Sequence, residues 1–136
     1  MVYAILKSLA GLELIDGVWE NGVYPPKAVY AATQEGDAEF QRWLRRPVSR
    51  MREVRFDFLV KLHFALDEDR ELARQLLLAQ ASLCRDYASE VQQELSGTEP
   101  AGFDAIVLGS KVSAAELTER WLLETLETLG MSKASV

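Results

Sequence analysis

This 136-residue chain has one cysteine, one histidine, four prolines and no long apolar run. The lone thiol, Cys84, cannot close an internal disulfide, and such sparing use of cysteine fits a reducing compartment. His63 has no cysteine or second histidine near it, so the usual zinc spacings are excluded and no metal is expected. No stretch of about 18 apolar residues is present to span a bilayer. The first residues, VYAILKSLAGLELIDG, carry charge inside their apolar part, unlike a signal peptide. A phosphate-cradling glycine loop, a nucleophile–base pair and a conspicuous carboxylate pair are also missing, so neither an enzyme nor a cofactor is expected. These absences leave a soluble, cytoplasmic protein as the expectation.

What is present is a globular composition, with 49% hydrophobic and 26% charged residues. A chain of this length buries roughly two-thirds of its unfolded surface, enough for a core. The net charge of -6 argues against bulk attraction to nucleic acid, yet the charge is unevenly placed. Residues 1–41 hold two lysines against six acids. Residues 42–61 hold Arg42, Arg45, Arg46, Arg50, Arg52, Arg55 and Lys61 against Glu53 and Asp57. The remainder holds six basic and thirteen acidic residues, so a basic segment lies between two acidic ones.

Periodicity then divides the chain. Val2, Ile5, Leu6, Leu9 and Leu12 repeat at three and four, a helical stripe that Gly11 is placed to cap. From residue 14 to 33 the period shortens. Ile15–Glu20 and Lys27–Ala32 are β-prone runs, and Asn21-Gly22 between them tolerates the positive φ of a tight hairpin turn. Pro25 and Pro26 belong in the loop or at an edge. Thr33 is placed as a helix N-cap, with Glu35, Asp37 and Glu39 in the first turns, Arg42, Arg45 and Arg46 in the last, and Pro47 closing the segment. A helix is expected over 49–66, with Val54, Phe58, Leu59 and Leu62 buried. A long one is expected from 67 to about 95, with Leu72, Leu76, Ala79, Leu83, Tyr87, Val91 and Leu95 as its stripe. That length suggests packing against a second subunit. Residues 96–111 read as a loop, and Ser113 as the cap of a last helix carrying Leu117, Trp121, Leu122, Leu126 and Leu129.

The fold class is therefore mainly α: helix, hairpin, then helices. A helix leading straight into a short antiparallel hairpin is the recognition helix and wing of a winged helix-turn-helix, here a partial one followed by a helical C-terminal dimerisation region. The boundary is expected near residue 46, giving 1–46 and 47–136.

Four motifs in order carry a resemblance. Tyr3-Ala4-Ile5-Leu6-Lys7-Ser8-Leu9 and Leu12-Glu13-Leu14-Ile15 are followed by Tyr24-Pro25-Pro26-Lys27-Ala28-Val29-Tyr30 and Ala32-Thr33-Gln34-Glu35-Gly36. Phe58-Leu59-Val60-Lys61-Leu62-His63-Phe64-Ala65 continues the series. Together they resemble the PadR-like transcriptional regulators over nearly the whole chain. Ala4 stands where that family usually has proline.

The resemblance implies a homodimeric regulator, by family habit a repressor, that binds double-stranded operator DNA, with room for a small-molecule effector in the C-terminal region. It implies DNA contacts from Tyr3 and Lys7 on the recognition helix and from Asn21 and Lys27 on the wing. The dimer interface is expected at Leu72, Leu76, Leu83, Tyr87, Trp121 and Leu122. The family carries two helices ahead of the recognition helix that this sequence does not show. The module is therefore expected to be cut at its front, whether in a truncated paralogue, by an internal start or by a mis-called start. Val2, Ile5, Leu6 and Leu9 would then form an apolar stripe in need of a partner, and DNA affinity would suffer. From another class comes the alternative, a regulator remnant that still dimerises but binds little DNA. The basic segment reads first as a solvated face partly paired with Glu39, Glu53 and Asp57, and second as a nucleic-acid patch. Cys84 reads as core, and Trp43 and Trp121 as packing residues, with a flat aromatic ligand at the dimer centre as the other option.

Overall fold

A computed structural model of the chain describes residues 1–22 and 24–132. The chain forms two compact units, Met1–Arg45 and Arg46–Val136.

The first unit contains α1 (Val2–Gly11), β1 (Ile15–Trp19), β2 (Ala28–Ala32) and α2 (Gln34–Arg45). α1 runs one residue further than its expected glycine stop. Gly11 is its last helical residue, and the left-handed turn falls on Glu13, with φ 59°. Two bonds close this end: Glu13 N–H donates to Ala10 C=O at 3.0 Å, and Leu14 N–H to Leu9 C=O at 3.0 Å. That pair is a Schellman motif, with Leu9 and Leu14 as its apolar contact positions. β1 and β2 pair antiparallel from Ile15↔Ala32 to Trp19↔Ala28. The ladder extends outward through Glu20 N–H to Lys27 C=O at 2.9 Å, so the strands are not joined by a two-residue turn. Gly22, beyond that rung, has a positive φ of 85°. Pro25 and Pro26 lie in the loop, where no ladder bond is needed.

Thr33 joins the hairpin to α2, and three bonds place it. Its N–H donates to Leu14 C=O at 2.9 Å. Its hydroxyl donates to Glu13 C=O at 2.6 Å and accepts the Gly36 N–H at 3.0 Å, the expected N-cap. Gly36 is required by a close approach: a Cβ there would sit 1.9 Å from the Leu14 carbonyl oxygen.

In the second unit, the expected single helix over 49–66 is replaced by three pieces. A 3-10 turn (Met51–Glu53) leads into a π-helical segment (Val54–Phe58) and then α3 (Leu59–Glu68). Val54 and Phe58 are buried as expected, while Leu59, expected inside, is exposed. α4 (Arg70–Ser96) is capped by Asp69, whose carboxylate accepts the Glu71 N–H at 3.1 Å. α5 (Phe103–Thr128) starts ten residues before its expected cap at Ser113. Ala105, Leu108 and Val112 explain the difference. At spacings of three and four they put an apolar face on the early part of α5, and Leu108 and Val112 pack with Val91 of α4. That packing overrides Gly109, a weak helix former.

α4 and α5 are antiparallel. Arg70 at the start of α4 donates to Leu129 C=O at 2.5 Å, and Arg74 to Met131 C=O at 3.2 Å. Midway, Arg85 pairs with Glu119 at 2.8 Å. The core of this unit combines Leu72, Leu76, Leu77 and Cys84 of α4 with Leu122 and Leu126 of α5 and Phe58. Within it the Phe58 and Trp121 rings meet edge-on at 6.3 Å.

Candidate nucleic-acid interface

The first unit presents α1 and the hairpin with almost nothing buried. No residue of α1 is buried, and Tyr3 is 75% exposed. Lys7, one turn further along, is exposed and makes no ion pair among the described residues. Tyr3 and Lys7 therefore share one solvent-facing helix with apolar Val2 and Ile5. Asn21 stands exposed in the hairpin loop. Lys27 is also exposed, but its ammonium lies 3.4 Å from the Glu20 carboxylate, across the last rung of the ladder. Such an exposed pair contributes about 0–1 kcal/mol, which a phosphate could displace.

Local electrostatics work against a polyanion. From Met1 to Arg45, four basic side chains face six acidic ones. Arg42 is held by Glu39 at 2.5 Å, and Arg45 bonds to the backbone and side chain of Gln41. In the second unit Arg50 pairs with Glu53 at 3.5 Å, while Arg52 and Arg55 make no ion pair among the described residues. The basic segment is thus in part a self-paired face, as its sequence suggested.

Lys61, counted with that segment, is a core residue instead. It is 5% exposed and donates Nζ–H to the Arg46 carbonyl at 2.6 Å. Burial, and secondarily the Arg46 guanidinium, hold its pKa below the usual lysine value, with Asp57 opposing. The helical spacing from Phe58 was the signal that could have revealed this.

The expected dimer residues separate into two groups. Leu72, Leu76 and Leu122 are buried within the chain itself, among the core residues of α4 and α5. Tyr87 is half-buried against the Val91, Leu108 and Val112 cluster. Leu83 and Trp121 keep exposed surface. Trp121 also lines an open groove of about 900 Å³ between the π-helical segment and α5. Phe56, 78% exposed, and Leu117, 61% exposed, form its apolar walls, with Arg55, Arg120 and Glu124 on its margin. No spacing rule in the sequence foretold the groove, because its walls come from segments far apart along the chain.

Cys84 is buried as expected, and burial, with the Glu119 carboxylate adding to it, pushes its thiol up to about 11. No group of three or more metal-ligating side chains occurs among the described residues. No helix of the described residues is long and apolar enough to cross a membrane.

The first unit is thus a capped helix running into a two-stranded antiparallel ribbon and a second helix, and the second unit is helical. Among solved structures, the chain is similar to Bacillus subtilis PadR in complex with operator DNA. The identity is 23% over 93% of this chain and 76% of that one, with a TM-score of 0.47. It is also similar to a PadR-like transcriptional regulator from Bacillus cereus, at 21% identity over 95% of this chain and 74% of that one, with a TM-score of 0.31. No family model matches the chain, and no curated protein matches it.

Proposed function

We propose that this chain is a PadR-like DNA-binding transcriptional regulator, a cytoplasmic homodimer that represses its target and catalyses nothing. Residues 1–46 are the DNA-binding part and residues 47–136 the dimerising, effector-responsive part. The observation that carries the reading is α1. It is a helix with no buried residue, set by a Schellman turn and the Thr33 cap at the base of a two-stranded ribbon. A surface so apolar, bearing Tyr3 and Lys7, calls for a partner. A major groove accepts a helix of this width, and the ribbon carrying Asn21 and Lys27 reaches the flanking backbone. Dimerisation is supported by the exposed Phe56, Leu117 and Trp121 around the groove.

A second reading draws on the acidic surroundings. Six acids against four basic groups, with Lys27 already engaged by Glu20, favour an interaction protein that dimerises but binds DNA weakly. One titration separates the two. In a mobility shift on its own promoter region, binding should weaken steeply with salt, and Lys7→Ala plus Lys27→Ala should lower the log–log slope by about 2 per protomer. Equal binding by the double variant removes both lysines from the interface. No shift at low salt leaves the second reading. Sedimentation as a monomer at concentrations on the order of tens of micromolar, where a weak dimer forms, defeats both.

A further inference from the structure

Helix α5 carries two apolar stripes. Ala105, Leu108, Val112, Ala115, Leu122 and Leu126 are buried, and Leu108 and Val112 pack with Val91 of α4. Phe103, Val107, Ser110, Ala114, Leu117 and Trp121 follow one another at alternating spacings of four and three, the repeat of a helix-pairing seam. At about 3.6 residues per turn, this second stripe lies on the opposite side of the helix from the first. No charged residue falls on it between Phe103 and Trp121, as in the core of an interface. Its two ends differ in shape. Exposed Phe103 and Ile106 project at the first end, small Ser110 and Ala114 form the middle, and the open groove occupies the last. In that groove Leu117 and Trp121 of α5 stand beside Phe56 and Leu59. One surface thus holds both a projection and a hollow, as a self-complementary two-fold interface requires.

We propose that a second copy of this chain covers the stripe, with its α5 antiparallel to the first. The helices cross at Ser110 and Ala114, and Phe103 of each copy enters the groove of the other. This rests on the homodimeric reading above and names the seam, its direction and its register. Phe103 and Trp121 lie equally far along α5 from Val112, so an antiparallel crossing centred there sets them level. A parallel pair would oppose Phe103 to itself and leave both grooves unfilled. Small side chains at the crossing let the two axes approach to about 8 Å. Glu99 and Asp104 flank Phe103, while Arg55 and Arg120, against Glu124, stand on the margin of the groove. The two ends are therefore complementary in charge as well as in shape. Covering the projections and the groove removes on the order of 700 Å² of apolar surface per copy, near the roughly 800 Å² per partner of a stable interface.

The test uses the full chain in sedimentation equilibrium. Phe103→Glu, at an exposed site, should raise the dimer dissociation constant by roughly ten-fold or more. Val60→Glu, at an exposed apolar residue outside the groove, should change it by less than about two-fold. Should Phe103→Glu not fold by circular dichroism, Leu117→Glu is read the same way. Direction is read from one spin label per copy, placed by Glu127→Cys in a Cys84→Ala background. The antiparallel seam sets the two labels about 45 Å apart, from the helical rise on either side of the crossing. A parallel pair would bring them within about 20 Å. A dimer indifferent to Phe103→Glu but broken by Val60→Glu, or labels at the short distance, overturns the seam and leaves the homodimeric reading standing. A monomer at concentrations on the order of tens of micromolar overturns both and leaves the stripe to a different protein.

Discussion

The residues up to Arg45 and those from Arg46 onward are both rich in apolar side chains, yet they use them differently. Among the described residues of the first unit, only Leu44 is buried, whereas the second buries a continuous series from Val48 to Met131. The first unit is held by backbone geometry: a five-rung ladder, a Schellman turn, a threonine cap and a glycine contact. Packing of α4, α5 and Phe58 holds the second. Apolar residues left at the surface by a hydrogen-bonded frame are available to a ligand or partner, while those buried in the helical unit are already spent on the fold.

The sharpest way to break this contrast is truncation on each side of it. Leu122→Ala should cost about 2–5 kcal/mol in urea unfolding, while Ile5→Ala should stay within about 0.5 kcal/mol. An Ile5→Ala loss of similar size would show that α1 is covered in solution. Next comes Gly36→Ala, where the added methyl meets the Leu14 carbonyl. A loss of about 2–3 kcal/mol is expected, visible as faster amide exchange in β1 and β2 with α4 unaffected.

The third test concerns the buried thiol. Cys84 ionises at about 11 in the fold against 9.0 for the free side chain. Below 9 both states keep the proton. As pH rises toward 11 the unfolded thiol ionises first, and about 2 kcal/mol of stability is lost. Cys84→Ala should remove that slope above pH 9; an unchanged slope would place the thiol in contact with water. The smallest effect should come from Gly109→Ala. Nothing lies within 4 Å of the added methyl, so a gain of about 0.5–1 kcal/mol in thermal unfolding is expected. A loss would mean that the Gly109 side of α5 is also packed by a second copy.

Much of the fold was legible in the residues. The α1 stripe, the two β-prone runs, the Thr33 cap and the length of α4 all follow from local periodicity and capping chemistry. The misreadings share one cause. Gly109 and the punctuated stretch around it spell a loop, yet Leu108 and Val112 find Val91 across the hairpin and the helix forms. Residues 49–58 have helical spacing, yet the segment Val54–Phe58 is a π turn, which ordinary periodicity does not signal. At the candidate site, Tyr3, Lys7, Asn21 and Lys27 were named from the resemblance, whereas the Glu20–Lys27 pair needed the strand register.

The sequence by itself determined the order of helix, ribbon and helices, because each is set by neighbours within a few residues. Only tertiary structure decided which leucines stay available at the surface, why Gly36 cannot carry a side chain, and that Lys61 is buried and bonds the Arg46 carbonyl. These depend on atoms brought together from far along the chain, and no local spacing encodes a distance between them.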